Sequence, residues 1–447
     1  MRKLLLVSDD EVAAQMAGAG IRYYHFAREL AKRYDVALVV PTAPTESLGE
    51  FEVLQAAEWH GRQFRSLVRR YDVLIARTLR PWTMAALARA DVHVVYDLYD
   101  PFLTANLGFH GGEDVSGRYR RVAFLAPTLL QEIALLTGNA FVCASERQRD
   151  LFIGMLGALG RIDPETAAED PSFRRLIDVV PFGLEREPPV ATKPALKGVV
   201  PGIREDDKVL LWGGGIWNWL DPLTPIRAVH ALSKKRDDVK LFFLGVKHPN
   251  PAIRQLAMTA QAVELAKELG VYDRFVFFNF GWVPYAERAN YLLDAHLGIS
   301  SHLDTLEARF SFRTRVLDYF WASLPTIATK GDVLAELVAD ADLGRTVPPG
   351  SVEGWTRAIE ELLDDQAGYA RVRGNIERTR EVFTWPRVVE PLARLAALGG
   401  GVVEPPRPVA KATTRYAVLA LQAYMARRGL VGGARDLYRI LRRPPLP

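Results

Sequence analysis

The feature that most constrains the fold of this chain is the repeated alternation of short apolar segments with helical patterns. These segments lack polar alternation, which is typical of strands covered by helices on both faces of a parallel sheet. Strand–helix alternation predicts right-handed βαβ units, and therefore an α/β protein with two doubly wound halves. The predicted strands are Leu4–Ser8, Val36–Pro41, Val73–Arg77, His93–Tyr96, Ala140–Ala144, Lys208–Trp212, Leu241–Gly245, Phe275–Phe278, Leu297–Ser300 and Thr326–Thr329.

A proline-rich segment separates the two halves. Residues 181–201 contain five prolines and interrupt the alternation, so we expect an interdomain linker there. The predicted domains are residues 1–190 and 200–382, followed by a helix at residues 383–398 and a basic helical tail at residues 409–447. Because ligands of such sheets bind at the carboxyl ends of the strands, two facing halves would share a cleft.

The positive charge of the chain is concentrated at its C-terminal end. Residues 401–447 contain nine Lys or Arg and two acidic residues, so the rest of the chain is slightly acidic and has no electrostatic footprint for nucleic acid. A basic amphipathic helix within residues 410–447 suits an anionic membrane surface, and a solvated tail or an oligomer contact is the alternative. The single cysteine, Cys143, excludes a disulfide framework and a cysteine-based metal site, and we expect no metal.

The N-terminal segment predicts a strand and not a signal peptide. Its apolar core is short and is followed by Asp9 and Asp10. No apolar run reaches the length of a membrane span. We therefore expect a cytoplasmic protein, with peripheral association at the inner face of a membrane if the tail binds lipid.

Residues 310–329 combine charged side chains with a predicted helix opening. The predicted helix is Phe312–Ala322, with Arg313 and Arg315 in its first turns and Asp318 one turn later. Free N–H groups at a helix N-terminus attract anions, so two guanidiniums there predict a diphosphate site. A carboxylate one turn on suits sugar hydroxyls. A surface helix with an ordinary Arg315–Asp318 pair is the alternative.

An early glycine-containing loop follows the first predicted strand. Gly18 and Gly20 precede a predicted helix at Arg22–Arg33, and their backbone N–H groups, with Arg22, could contact a phosphate. The loop is neither a GxGxxG fingerprint nor a Walker A sequence. A flexible loop with a solvated Arg22 is the alternative.

A second glycine loop opens the second half. Gly213, Gly214 and Gly215 directly follow a predicted strand, and three consecutive glycines there favour close approach to a ligand. Trp217, with Trp219, could stack on a sugar or a base, or could pack between the domains.

Three carboxylates are candidates for catalysis. Asp97 and Asp100 end a predicted buried strand, where sites in such sheets lie, although turn formation ahead of Pro101 explains them equally well. Glu307 stands in a polar loop before Arg309 and is the best carboxylate there for binding sugar hydroxyls.

Together these segments resemble a GT-B glycosyltransferase and, more narrowly, glycosyltransferase family 4, which is retaining and uses nucleotide sugars. The resemblance extends over residues 1–397. Its strongest motifs are FGWVPYAERANYLLDAHLGIS and VLDYFWASLPTIAT, and Phe383-Thr384-Trp385 resembles the start of the family's crossover helix, which returns to the first domain. The resemblance implies two Rossmann-like domains facing a central cleft, with C-terminal helices.

Several residues depart from the family pattern. In the family's E-x7-E motif Asp318 takes the second position, which binds ribose, but Phe310 takes the first. Glu307 fits the first position only with a loop three residues longer. The family's basic pair after the second glycine loop is absent, as is its histidine near the end of the fourth strand. Arg313 and Arg315 could supply the missing charge.

The resemblance implies metal-independent transfer, with retention, from a nucleotide sugar to a glycan, lipid-linked or small-molecule acceptor, with no further cofactor. The glycine loops, Arg313 and Arg315 would bind the diphosphate, Glu307 would orient the sugar, and Asp97 or Asp100 would assist the acceptor. The alternatives are an inverting GT-B transferase, a nucleotide-sugar epimerase, and an inactive nucleotide- or sugar-binding protein.

Overall fold

The computed structural model describes residues 1–42, 47–56, 61–108, 117–246, 256–398, 409–419 and 422. These residues divide into two compact units. The first unit contains residues 1–107, 117–181 and the described residues from 386 onward, and the second contains Gly108 and residues 182–385.

The first unit is a seven-stranded parallel sheet with helices. Its strands are β1 (Lys3–Val7), β2 (Asp35–Val40), β3 (Glu52–Gln55), β4 (Val73–Ala76), β5 (His93–Asp97), β6 (Ala140–Cys143) and β7 (Ile177–Val179), in the order β3-β2-β1-β4-β5-β6-β7. Its helices are α1 (Gly18–Ala31), α2 (Arg62–Val68), α3 (Pro81–Leu87), α4 (Phe102–Ala105), α5 (Gly117–Thr137), α6 (Glu146–Ala158) and α7 (Pro164–Glu169). The strand order reverses between β1 and β4, so polar side chains that follow these strands gather at a switch point.

The second unit is a six-stranded parallel sheet of the same kind. Its strands are β8 (Lys208–Trp212), β9 (Val239–Phe243), β10 (Val276–Phe278), β11 (Leu297–Ser300), β12 (Thr326–Thr329) and β13 (Gly344–Val347), in the order β10-β9-β8-β11-β12-β13. Its helices are α8 (Leu223–Leu232), α9 (Ala257–Glu268), α10 (Arg288–Asp294), α11 (Leu306–Phe310), α12 (Arg315–Trp321), α13 (Val333–Asp340), α14 (Val352–Asp364) and α15 (Gln366–Thr379), with 3₁₀ helices at Tyr285–Glu287 and Arg380–Phe383. The switch point lies between β8 and β11.

The predicted strands are all present, and the prediction of an α/β fold with two doubly wound sheets is confirmed. Three strands were not predicted: β3, β7 and β13. The proline-rich segment expected to be a linker belongs largely to the second unit. The backbone N–H groups of Ala195 and Leu196 both donate to Asp294 at 2.8 Å, so this stretch packs on α10.

The C-terminal helices α16 (Trp385–Val388) and α17 (Glu390–Ala397) follow the second unit. Helix α17 is anchored on the first unit, where Arg2 donates to the carbonyl oxygen of Ala396 at 2.8 Å and Arg394 contacts Asp178 at 3.2 Å. Residues 409–419 form a further helix, whose Val409 and Ala412 are buried in the core of the first unit. The basic segment predicted at the end of the tail lies outside the described residues.

None of the described helices is both long enough and apolar enough to span a membrane.

Candidate functional site

The structure places the predicted site residues in two groups, one in each unit. Each group lies at the carboxyl ends of strands: the first group follows β1 and β5, and the second follows β8 and β11. The first unit holds Gly18, Gly20, Arg22, Asp97 and Asp100, and the second holds Gly213, Gly214, Gly215, Trp217, Glu307, Arg313, Arg315 and Asp318.

The second glycine loop follows β8, and a buried tyrosine hydrogen bonds to its first residue. Gly213 donates its N–H to the Tyr319 hydroxyl at 2.8 Å, and a Cβ on Gly213 would lie 3.3 Å from the same side chain. The hydroxyl also lies 2.8 Å from the carbonyl oxygen of Ile299 in β11. Gly214 has a φ of +86°, a conformation that favours glycine, and open space where its Cβ would be. The loop backbone is therefore fixed and uncovered at Gly214.

Arg315 places a desolvated guanidinium beside this loop. Its Nη2 donates to the carbonyl oxygen of Gly215 at 3.0 Å, and its Cζ lies 4.7 Å from the centroid of the Trp212 ring. The Nη1 atom is buried and has no hydrogen-bond partner among the described residues. Burial lowers the pKa of Arg315 to about 10. Buried polar groups are nearly always satisfied, so this free donor is available to an acceptor supplied by a ligand.

Asp318 lies one turn further along α12 and is open to solvent. Its side chain is 42% exposed, and the Nε of Arg288 lies 3.3 Å from its Oδ1. The surrounding protein desolvates the carboxyl group and raises its pKa, whereas Arg288 lowers it. The carboxylate can therefore still accept hydrogen bonds from a ligand.

Glu307 and Arg313 form a buried ion pair with each other. Arg313 donates from Nη1 and Nη2 to the two oxygens of Glu307 at 3.0 and 2.7 Å, and both side chains are less than a tenth exposed. Ser311 also hydrogen bonds to Glu307. Asp332 extends the network, lying 3.9 Å from Arg313 Nε and 3.5 Å from His302 Nε2. The predicted roles in binding the diphosphate and the sugar would require free groups. Both terminal nitrogens of Arg313 and both oxygens of Glu307 are used within the pair, whereas the buried Nε of Arg313 has no hydrogen-bond partner among the described residues.

The start of α12 differs from the prediction. The helix begins at Arg315, three residues later than expected, because Leu306–Phe310 form the separate helix α11, capped by Thr305. Arg313 therefore precedes the helix. The candidate group for an anion in this segment is therefore the Arg315 side chain.

Trp217 stacks on Trp219 at a centroid separation of 5.1 Å and an interplanar angle of 7°. Both rings are partly exposed. The pair follows the glycine loop, so a ligand could contact only the outer faces of the stack.

In the first unit, Gly18 and Gly20 lie in the first turn of α1 and not in a loop as predicted. This N-terminus has no side-chain cap and no acidic residue in its first turn. A Cβ on Gly20 would lie 2.1 Å from the carbonyl oxygen of Glu11, so the preceding segment requires glycine there. Gly18 faces open space.

Arg22 and Asp97 form a fully buried pair inside the first unit. The guanidinium donates to both carboxylate oxygens at 2.8 and 3.0 Å, and also to the carbonyl oxygens of Val180 and Pro181. Donor binding by Arg22 and catalysis by Asp97 both need an accessible group. We therefore correct these two predictions: the pair joins α1 to β5 and β7.

Asp100 is accessible where Asp97 is not. Its side chain is 46% exposed and accepts a 2.6 Å hydrogen bond from Arg77, which also contacts Asp9 at 3.1 Å. Desolvation raises the pKa of Asp100 and Arg77 lowers it. A small cavity beside it is lined by the buried Gln131, whose Oε1 has no partner among the described residues. Asp100 is thus the open carboxylate of the first unit.

Sequence reasoning missed Tyr319, Arg288, Arg77 and Gln131. Tyr319 did leave a signal, because Gly298 interrupts the apolar strand β11. A Cβ on Gly298 would lie 2.3 Å from the Tyr319 ring. A glycine inside a strand often marks such a close approach. Arg77 and Arg288 left no signal in the sequence, since an isolated basic residue is common on any protein surface.

In the described ranges, no group of three or more His, Cys, Asp or Glu side chains is arranged to hold a metal ion.

A protein-family model matches most of the second unit. Residues 207–365 match the family described as Glycosyl transferases group 1, which is about a third of the chain and covers the glycine loop and α12. No curated protein matches the sequence.

Comparison with solved structures assigns the fold. Sucrose-phosphate synthase from Thermosynechococcus elongatus superposes with a TM-score of 0.60 at 16% identity, over 88% of this chain and 98% of that chain. WaaG, a glycosyltransferase involved in lipopolysaccharide biosynthesis, gives 0.60 at 16% identity, over 89% and 100%. Anabaena HepE, solved in complex with UDP-glucose, gives 0.61 at 15% identity, over 89% and 100%. The chain thus has the GT-B fold, and residues 207–365 match the Glycosyl transferases group 1 family.

Proposed function

We propose that this chain transfers a sugar from a nucleotide-diphosphate sugar to an acceptor hydroxyl, and that the second unit binds the donor. The observation that carries the proposal is the free Nη1 of Arg315 beside Gly213–Gly215. The structure of HepE with UDP-glucose supports a nucleotide sugar as the ligand class.

The chemistry requires stabilisation of the leaving diphosphate. When the bond from the sugar to the β-phosphate breaks, negative charge develops on the phosphate, and fixed donors bind that charge more strongly than they bind the ground state. We assign this role to Arg315 and to the backbone N–H groups of Gly214 and Gly215. Because the proposed charge stabilisation comes from these groups, the reaction as proposed uses no metal ion or further cofactor.

The remaining roles follow from which carboxylates are accessible. Asp318 would accept hydrogen bonds from the ribose hydroxyls of the donor, and Asp100 in the first unit would assist the acceptor. Glu307 and Arg313 would hold the segment before α12 in place. Trp217 and the first turn of α1, with Gly18, are further candidates for contact with the ligand.

Stereochemistry and acceptor class are also proposals. The resemblance to family 4 favours retention at the anomeric carbon, and NMR of the anomeric proton in the first-formed product distinguishes retention from inversion. A glycan, a lipid-linked glycan or a small molecule would supply the acceptor hydroxyl.

The basic tail would bring the enzyme to an anionic membrane surface. Because Val409 and Ala412 belong to the core of the first unit, the matched truncation ends at residue 419 and not at 409. Co-sedimentation with vesicles containing phosphatidylglycerol should be lost in the truncated chain. Equal sedimentation of both chains would rule out the tail as the membrane contact.

The function is tested in two steps. Thermal shifts and calorimetry with UDP, GDP, TDP and ADP should identify one diphosphate that binds the wild type and binds the Arg315→Met variant about a hundredfold more weakly. The corresponding sugar nucleotides are then tested for transfer and slow hydrolysis. Binding without any turnover across acceptors would favour the inactive binding protein, and the absence of binding by all four diphosphates would overturn the proposal.

A further inference from the structure

We infer that Arg288 is a positioning residue for Asp318 and that, through this contact, the site selects ribose over 2′-deoxyribose in the nucleotide. The inference rests on the proposed function, because it takes Asp318 as the ribose-binding carboxylate.

Arg288, the first residue of α10, is held in place by several contacts. Its Nη1 donates to the carbonyl oxygen of Tyr285 at 2.8 Å. Its Cζ lies 3.6 Å from the centroid of the Tyr285 ring and 4.3 Å from that of the Trp321 ring. Trp321 is itself fixed, since its indole N–H donates to the carbonyl oxygen of Glu187 at 2.6 Å. Cation–π contacts and a backbone hydrogen bond therefore fix the orientation of the guanidinium.

This orientation leaves only one edge of Arg288 for Asp318. The Nε lies 3.3 Å from Oδ1, which is a single long hydrogen bond. The neighbouring pair, Arg313 and Glu307, provides the contrast: it is bidentate, shorter and buried. A guanidinium normally binds a carboxylate through two parallel hydrogen bonds. The Arg288–Asp318 pair is thus an open pair, in which the carboxylate keeps acceptor capacity for a ligand.

An open, oriented carboxylate recognises a hydroxyl donor. An ionised carboxylate only accepts hydrogen bonds, and each oxygen has two lone pairs. Desolvation raises the pKa of Asp318, and Arg288 opposes that shift, so the cation favours the ionised form. A ribose 2′-hydroxyl can donate to the carboxylate, whereas 2′-deoxyribose leaves the acceptor unpaired in the complex. The lost hydrogen bond weakens binding of the 2′-deoxynucleotide, and the site therefore discriminates between the two sugars.

The test compares ribo- and 2′-deoxynucleoside diphosphates by calorimetry. The probes are the pairs UDP and 2′-deoxy-UDP, GDP and 2′-deoxy-GDP, and ADP and 2′-deoxy-ADP, and the preference is read from the tightest-binding pair. Wild type should prefer the ribo form by about tenfold or more, the range expected for a hydrogen bond to a charged group. Arg288→Met should reduce that preference to about twofold, by weakening the ribo form alone. Arg288→Lys should keep part of it, because it retains the charge but not the planar contacts.

Arg380 offers a matched control. Its Nη1 donates to the carbonyl oxygen of Trp321 at 2.8 Å, so it touches the same tryptophan without contacting Asp318. Arg380→Met should keep the wild-type preference. Asp318→Ala should abolish the preference and so report on the proposed function itself.

The outcomes distinguish a failure of the role of Arg288 from a failure of the assignment of Asp318 to ribose. If Asp318→Ala abolishes the preference and Arg288→Met leaves it at the wild-type value, the role of Arg288 is wrong and the proposed function stands. Equal weakening of both forms by Arg288→Met would identify a merely structural role and also overturn the inference. An unchanged preference in Asp318→Ala, or no binding of any probe, would remove the ribose assignment on which the inference depends.

Discussion

Replacing Arg315 by methionine should separate ligand binding from stability. The substitution keeps the aliphatic stem and removes the charge. Burial lowers the pKa of Arg315 to about 10, which corresponds to a cost of about 3 kcal/mol for keeping the charged form in the folded protein. Against this stand one hydrogen bond to Gly215, about 1 kcal/mol, and the contact with the Trp212 ring, about 0.5–2 kcal/mol. Without ligand, the variant should therefore be as stable as wild type or more stable, by up to about 1.5 kcal/mol.

The effect on binding should be much larger. A charge-assisted hydrogen bond to phosphate contributes about 1.5–3 kcal/mol, and the Coulomb attraction of two unit charges at 4 Å is about 4 kcal/mol at an effective dielectric constant of about 20. Because both figures describe the same contact, they are not summed, and we expect a loss of about 3 kcal/mol, or roughly a hundredfold in the Kd for UDP. Calorimetric titration measures the affinity, and urea unfolding measures the stability of the free protein.

Arg309→Met is the matched control, because it removes the same charge from an exposed position on α11. Its effect on UDP affinity should stay within about twofold, since solvent and salt screen an exposed charge. An Arg315→Met variant with unchanged UDP affinity, or one destabilised by about 2 kcal/mol or more, would refute the reasoning by showing that Arg315 serves the fold.

The remaining predictions concern the buried pair, the open carboxylate and a neutral histidine. Arg313→Ala should destabilise the protein by about 3–5 kcal/mol in urea unfolding, because it leaves Glu307 buried and unpaired, and the double variant Glu307→Gln, Arg313→Met should recover most of the loss. Asp100→Asn should lower the acceptor kcat/KM by about a hundredfold and leave the Kd for UDP unchanged. Burial lowers the pKa of His296 to about 4, so its neutral form, which accepts a hydrogen bond from the Val209 N–H, is favoured by folding. The contribution of His296 to stability should therefore be complete above about pH 6.5 and fall by about 3 kcal/mol towards pH 4, a loss that His296→Gln should reduce.

Each of these expectations has a contrary outcome. A single Arg313→Ala variant within about 1 kcal/mol of wild type would mean that Glu307 finds another partner. A changed UDP affinity in Asp100→Asn would assign the carboxylate to the donor. A pH profile of unfolding that is the same in His296→Gln as in wild type would place the titration in another group, and His230→Gln serves as the histidine control.

Most of the sheet architecture could be predicted, and the missed strands share a cause. The predicted strands consist of continuous apolar residues because helices cover both faces. The three missed strands, β3, β7 and β13, all lie at sheet edges. An edge strand has one neighbour and is less covered, so sequences such as EVLQ and GRTV carry polar residues that weaken the apolar signal.

The sequence identified the charged residues of the site, but not which of them are paired with another side chain. Arg313 and Arg315 are two residues apart and look equivalent in the sequence. The structure pairs both terminal nitrogens of Arg313 with a buried carboxylate, whereas Arg315 has no carboxylate partner and its Nη1 is without a hydrogen bond among the described residues. Likewise Arg22 and Asp97 are 75 positions apart, and only the parallel sheet brings them into contact. Residue type predicts chemistry, whereas pairing depends on tertiary contacts that spacing does not encode.

The most direct test of the central claim is the crystal structure of the chain with UDP bound. The account predicts a phosphate oxygen at about 3 Å from Arg315 Nη1, over the loop at Gly214, and a ribose hydroxyl at about the same distance from Asp318. A diphosphate bound elsewhere, with Arg315 Nη1 still lacking a partner, would contradict it.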